Sequence, residues 1–254
     1  MLRTRLACRA PCYRPFEDNA LAHIARLGVR FVELRAPGDE ADCARVADQL
    51  AALGLSASVL QPSFDVADDG FLDPFIAQLP RFARLRAEFA LIALRPVTLP
   101  ASEVCRRLAL AADHAADFGV ALLLETHPDL SHNSQVAAET LAAVNRPNVR
   151  LNFDTANILF YNDDLSPVAE LRASLPVLGG VHLKDTAGGK GVRRFGPLGS
   201  GLVDFAAILR LLHDADFDGP LTIELDAPQP HSRTGVEAAF EQSVQHIRRI
   251  LDEI

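Results

Sequence analysis

The chain has 254 residues, 49% hydrophobic and 23% charged, with a formal net charge of −8. That apolar content excludes a disordered chain, and only 15 glycines and 16 prolines exclude collagen-like and low-complexity classes. No apolar run reaches the roughly 18–20 residues of a membrane span, and the acidic balance argues against a general nucleic-acid binder, which needs a basic face. Residues 1–15 are basic but lack an apolar h-region, so no signal peptide and a cytoplasmic location are expected. Cys8, Cys12, Cys43 and Cys105 form no CxxC pair. They read as four reduced thiols, and the Cys8/Cys12 spacing is a poor zinc signal.

In chain order, short β-branched or leucine-rich runs alternate with alanine- and leucine-rich helical stretches. The pattern predicts strands at 5–8, 29–34, 56–60, 90–94, 120–125, 149–154, 180–183 and 221–224. It predicts helices at 17–27, 39–53, 72–87, 101–118, 134–145, 165–174, 204–214 and 235–251. Asp39, Ser134 and Asp204 are placed as N-caps, and Gly28 and Gly54 as helix stops. Eight strand–helix units of about 32 residues match an α/β fold of the closed (β/α)8 TIM-barrel type, a single domain over 1–254. The rival, an open doubly wound sheet, usually carries a glycine-rich loop after its first strand, and residues 8–12 are nothing of the kind.

An α/β barrel builds its active site at the C-terminal ends of its strands. Standing there are Glu33 and Arg35, Gln61, Arg95, Glu125, Asp154, His182 and Glu224. The last four follow runs that read as buried strand. Three buried carboxylates without compensation are costly, and a divalent cation among them removes that cost. Three carboxylates and an imidazole form a hard donor set that suits manganese, magnesium or cobalt better than a structural zinc, although zinc also takes such ligands. Taken singly, each of the four reads equally as a helix cap, a salt-bridge partner or a bonded core residue. Their succession on four consecutive strands favours the metal.

Five segments carry a family resemblance: Leu122-Leu-Leu-Glu-Thr-His-Pro-Asp-Leu130, Asn152-Phe-Asp-Thr-Ala-Asn157, Val181-His-Leu-Lys-Asp185, Leu198-Gly-Ser-Gly-Leu-Val-Asp-Phe205 and Gly219-Pro-Leu-Thr-Ile-Glu224. They resemble the xylose-isomerase-like sugar isomerase/epimerase superfamily, closely over about 115–226. The resemblance implies a TIM barrel, metal ligands at Glu125, Asp154, His182 and Glu224, and a proton-transferring pair in Glu125 and Glu224. Manganese is the first choice of cation, the substrate is a keto-sugar or related polyol, and homo-oligomers occur among relatives. The implied chemistry is α-proton transfer through a metal-stabilised enediolate.

The sequence also departs from the family. Asn157 stands where many epimerases of this family have histidine, and an amide is neither acid nor base near neutral pH. His127, two residues beyond Glu125, shares its strand face and is a candidate substrate contact. Lys184, Arg194 (with Arg193 as the competing choice) and Glu33 are further candidate substrate contacts. Lys184 has the alternative of pairing Asp185 or a strand carboxylate, and Glu33 with Arg35 reads as a mouth pair. His132, His213 and His231 are placed on solvated loops or helix ends. The rival functions are a lyase on the same site (keto-inositol dehydratase or 3-keto-glycoside-cleaving enzyme) and a non-catalytic sugar- or metal-binding subunit. An apurinic endonuclease on this fold is disfavoured by the net charge and by Asn157.

Overall fold

The computed structural model describes residues 5–94, 98–226 and 231–254. Arg95, placed at the mouth from sequence, lies outside them. Eight parallel strands close a barrel: β1 (Leu6–Arg9), β2 (Phe31–Arg35), β3 (Ser56–Gln61), β4 (Phe89–Ile92), β5 (Ala121–Glu125), β6 (Val149–Asp154), β7 (Leu178–Leu183) and, after a short two-stranded ladder, β10 (Leu221–Ile223), which pairs back to β1. The ladder is β8 (Asp185–Thr186) against β9 (Phe195–Gly196), antiparallel. Strands buried on both faces read as near-continuous apolar runs, which is why Ala-Leu-Leu-Leu at 121–124 announces a barrel strand.

The predicted helices are present with instructive differences. Asp39 and Asp204 cap α2 (Glu40–Leu53) and α9 (Phe205–Asp214), accepting from the Asp42 and Ala207 amides. Gly54 ends α2 in the left-handed region at φ 65°. The cap of α6 (Ser134–Val144) is Asn133 rather than Ser134: its side chain accepts from the Val136 amide, and the Ser134 amide goes to Glu170 at 2.7 Å. The stretch 72–87 is two helices, α3 (Leu72–Ile76) and α4 (Leu79–Leu85). Pro80 has no N–H with which to continue a single helix. The Gln78 side chain instead binds the Ser63 amide and the Ser63 and Pro74 carbonyls at 2.7–2.9 Å.

One helix was not expected. α7 (Thr155–Tyr161) starts directly at the end of β6, capped by Asp154, whose Oδ1 accepts from the Ala156 and Asn157 amides at 2.9 Å. Its sequence, Thr-Ala-Asn-Ile-Leu-Phe-Tyr, has no amphipathic period to give it away.

Candidate metal and proton-transfer site

Period-two alternation puts Glu125, Asp154 and His182 at the mouth ends of β5, β6 and β7, and Glu224 one residue past β10, its amide bonded to the Leu183 carbonyl at 3.0 Å. Each offers a ligand atom, and these atoms lie within 4.8 Å of one another. The strand ends are stitched by hydroxyls. Thr126 Oγ1 donates to the Asn152 carbonyl and accepts from the Asp154 amide. Thr155 Oγ1 donates to the Lys184 carbonyl at 2.6 Å and accepts from its amide at 3.0 Å.

Glycine makes room one layer down. A Cβ at Gly180 would lie 2.6 Å from Asn152 Oδ1 and 2.8 Å from Leu123 Cδ1. Asn152 Nδ2 in turn reaches Glu125 Oε2 at 3.4 Å. Gly180→Ala is therefore expected to cost about 1–3 kcal/mol of overpacking and to displace Asn152 from Glu125. Thermal unfolding checks the first effect and divalent-cation affinity the second.

The four residues fit a cation. His182 Nδ1 lies 3.0 Å from Glu125 Oε1 and 2.7 Å from Glu224 Oε2 yet is hydrogen-bonded to neither. Asp154 uses Oδ1 as a helix cap and keeps Oδ2 buried without a hydrogen-bond partner among the described residues. Converging unpartnered buried atoms of this kind suit a ligand set. Charge agrees. With His182 neutral, the form in which it would hold a cation, the carboxylates of Glu33, Glu125, Asp154 and Glu224 face Lys184 and Arg9, which leaves two negative charges for the cation to offset; without a cation the protonated ring offsets one of them.

The electrostatics follow from this crowding. Burial works against a charged His182, but Glu125, Glu33 and Glu224 outweigh it and hold the ring well above the usual histidine range. Burial pushes Asp154 up to about 7, against Lys184 and with help from Glu224 and Glu125. Burial alone would raise Glu224, yet Lys184, Arg9 and His182 hold it well below the usual carboxylate range.

The other predicted residues divide. Lys184 takes its alternative reading: it pairs with Glu224 at 3.1 Å and faces Asp154 at 3.6 Å, with its Nζ 4.7 Å from the centre of the Phe195 ring. Asp185 is not its partner, because its carboxylate accepts from the Thr186, Gly199, Gly201 and Val203 amides. His127 is half-buried beside the cluster, with the Tyr161 ring edge-on at 5.9 Å and a buried Nδ1 that has no partner.

Asn157 also braces the backbone: buried, it spends Nδ2 on the Thr126 carbonyl at 3.0 Å. Glu33 has both oxygens engaged, Oε1 by Arg9 at 2.5 Å and Oε2 by His182 Nε2 at 2.9 Å. Arg35 does not pair with Glu33; it is exposed and 3.7 Å from Glu17. His132 lies in the loop before α6 as expected, half-buried, with its Nδ1 covered. Arg194 is exposed on the wall of an adjoining cavity of about 480 Å³ lined also by Arg193, Phe195 and Asp226, where Arg193 approaches Asp226 at 3.6 Å.

Sequence reasoning missed Arg9, which binds Glu33 and Gln61 and stands 3.8 Å from Glu224 Oε2. An arginine closing a Leu-Ala-Cys strand was the signal, hidden by ending that strand at Cys8.

The profile of the xylose isomerase-like TIM barrel matches residues 21–250. The chain belongs to that family. An L-ribulose 3-epimerase of Methylomonas sp. (strain DH-1) is 32% identical over 117 residues, 44% of this chain and 38% of that protein. The chain thus matches well under half the length of that curated relative. Among solved structures, a D-allulose 3-epimerase from Methylomonas sp. is 20% identical at a TM-score of 0.77, covering 98% of this chain and 99% of that one. A 3-keto-D-glucoside 4-epimerase from E. coli is 16% identical at a TM-score of 0.77, covering 96% and 99%. At such identity these two share the fold, and activity has to be argued from the site.

Proposed function

We propose that this family member is a divalent-cation-dependent isomerase or epimerase of a keto-sugar or related polyol. The observation that carries the reading is the pair Glu125 and Glu224, converging on His182 Nδ1 at 3.0 and 2.7 Å from neighbouring quarters of one buried cluster. Glu125, Asp154, His182 and Glu224 would hold the cation, manganese first with magnesium, cobalt or zinc as the others, and it would supply Lewis-acid stabilisation to a substrate carbonyl. The chain's own residues do the rest. One glutamate takes the proton from the carbon α to the carbonyl, and the other returns a proton to the opposite face of that carbon, inverting it. Lys184 holds Glu224 ionised and in place through Oε1. Phe195 covers Lys184, and Tyr161 orients His127 toward a substrate hydroxyl.

A lyase is the second reading, and His127 is the observation that keeps it. Elimination needs a group to protonate the departing oxygen, and His127 is the additional histidine beside the cluster. Burial holds its pKa below the usual histidine value against the pull of Glu125, which favours a neutral hydrogen-bonding role over that of an acid and so the isomerase.

Incubating the protein with Mn²⁺ and a panel of ketoses, inositols and 3-keto-glycosides in heavy water tests both. One deuterium incorporated without other mass change supports the isomerase, and loss of water from an inositol or of the aglycone alcohol from a 3-keto-glycoside supports the lyase. No exchange on any substrate would sink both.

A cation-binding site also predicts stabilisation. Mn²⁺ at about 100 times its Kd is expected to add ~2.7 kcal/mol, a Tm rise of roughly 5–10 °C for a chain this long, reversed by a chelator. Among the described residues no helix is long and apolar enough to cross a membrane. The four cysteines are free, which is the basis for proposing a cytoplasmic location.

A further inference from the structure

Behind the cluster lies a chain of contacts that runs across the barrel. Gln61 Oε1, at the end of β3, accepts from Arg9 Nη2 at 2.7 Å. Arg9 Nε, at the end of β1, donates to Glu33 Oε1 at 2.5 Å. Glu33 Oε2, on β2, meets His182 Nε2 on β7 at 2.9 Å. Glu33 and His182 are each 1% exposed, so water does not compete for these bonds.

An imidazole that binds a cation through one nitrogen needs its proton on the other, and a carboxylate on that side fixes both tautomer and ring direction. Glu33 serves this purpose only if its own two oxygens are held still. Glu33 bonds the His182 ring through one oxygen, and the other is bonded to Arg9. Arg9 also carries the charge that lets a carboxylate stay ionised with almost no access to solvent. Its guanidinium is a two-pronged fork, one prong on Glu33 and one on Gln61, so its direction is set as well as its charge.

We propose that Arg9 is a positioning residue: pinned by Gln61, it fixes Glu33 so that Glu33 accepts a hydrogen bond from His182 Nε2–H, which keeps the proton on Nε2 and leaves the Nδ1 lone pair directed into the cluster of Glu125, Asp154 and Glu224. This rests on reading that cluster as a cation site, and it adds a residue from the first strand that touches neither cation nor substrate. A second consequence concerns Glu224. Arg9 lies 3.8 Å from its Oε2, the oxygen facing His182, so the same fork limits how far that carboxylate swings toward β1.

The test uses the full chain with Arg9→Met, Arg9→Lys and Gln61→Leu. Two quantities are read: Mn²⁺ affinity by calorimetry on metal-stripped protein, and solvent exchange of the His182 Nε2 proton by NMR on ¹⁵N-histidine-labelled protein, metal-free and Zn²⁺-loaded. Arg9→Met is expected to weaken Mn²⁺ binding by about 10-fold or more and to lose the protected ring proton in both forms. Arg9→Lys, with the charge but no fork, is expected to restore part of each, and Gln61→Leu to move both in the same direction by less.

Unchanged affinity and an unchanged ring proton in Arg9→Met overturn the proposal. Full restoration by Arg9→Lys also overturns it, because charge alone would then suffice. If Arg9→Met does not fold, Gln61→Leu, which alters no charge, carries the test, and wild-type values there overturn it. If the wild-type chain binds no Mn²⁺, the cation reading falls, while the ring-proton comparison in metal-free protein still decides the role of Arg9.

Discussion

Glu125→Gln and Glu224→Gln are each expected to lower deuterium incorporation at the substrate α-carbon by roughly 10²–10⁴-fold, the usual worth of a positioned acid or base. They are also expected to move the stability of the metal-free protein in opposite directions. Among the described residues Glu125 has only Asn152 Nδ2 at 3.4 Å on its Oε2 and His182 at 3.0 Å on its Oε1. At a pH high enough to leave His182 neutral, replacing it with the neutral isostere removes one of the two uncompensated negative charges, and the metal-free Tm should rise; at lower pH Glu125 is the main counter-charge of the protonated ring, and the gain should vanish.

Glu224 is braced by Lys184 at 3.1 Å, with Arg9 at 3.8 Å. Neutralising it leaves Lys184, 6% exposed, with Asp154 at 3.6 Å as its remaining partner. A buried ammonium that loses its nearer counter-charge is costly, so the Tm of Glu224→Gln should fall. Thermal unfolding of both variants in chelator, with and without added Mn²⁺, reads this directly. The Tm increment from Mn²⁺ should shrink in both, because each has lost a ligand. Two variants with the same sign in chelator at the higher pH would show that the cluster is not partitioned between a braced and an unbraced glutamate. Full exchange retained in either would remove that glutamate from proton transfer.

How much of this was legible in the sequence depends on the distance over which each feature is decided. The barrel was, because strand and helix periods are local and eight of them leave few architectures. The four cluster residues were, because a polar residue after an apolar run locates a strand end, and strand ends of a parallel barrel share one rim. Glu33 was found at that rim, but its contacts with Arg9 and His182 were not. Its partners, Arg9 and His182, are 24 and 149 residues away, and nothing near Glu33 shows that both its oxygens are taken. Arg9 was lost to a one-residue slip in a four-residue strand. Ending the strand at Cys8 left Arg9 outside it, so it was not read as the residue at its mouth end.

Asn157 shows a different limit. Set against the family, it reads as a histidine that has been replaced. In the structure it is an amide in the first turn of α7 holding the backbone at Thr126. The helix itself escaped notice because Asp154 is cap and candidate ligand at once, and a residue with one evident role does not advertise a second. The same holds for Asp185. Adjacent to Lys184, it looked like a local ion-pair partner, whereas it organises a segment that follows it by more than ten residues.

Asp185→Ala is accordingly expected to open the segment 187–203 and to lower activity more than it lowers global stability. Asp185 is 1% exposed, and its two oxygens accept from Thr186 at 2.9 Å, Val203 at 3.2 Å, Gly199 at 2.9 Å and Gly201 at 2.8 Å. Each buried N–H left without an acceptor costs about 1–3 kcal/mol, so the segment lowers its free energy by exposing those groups to water instead. Opening moves Phe195, paired with Thr186 in the β8–β9 ladder, away from the Lys184 ammonium it covers, and water gains access to Glu224. Hydrogen exchange should therefore show lost protection at 199, 201 and 203, with the barrel strands unaffected, and kcat/KM should fall together with that protection.

Gly201→Ala provides an independent route to the same state without removing a charge. Its Cβ would lie 2.4 Å from Asp185 Oδ1 and 2.4 Å from the Thr186 carbonyl oxygen, so the latch cannot close around it. Asp185→Asn keeps the shape but turns one acceptor into a donor facing N–H groups, and should fall between wild type and Asp185→Ala. Protection retained at 199 and 201 in both Asp185→Ala and Gly201→Ala would show that β8–β9 pairing alone holds the segment, and any loss of activity would then have to originate within the cluster.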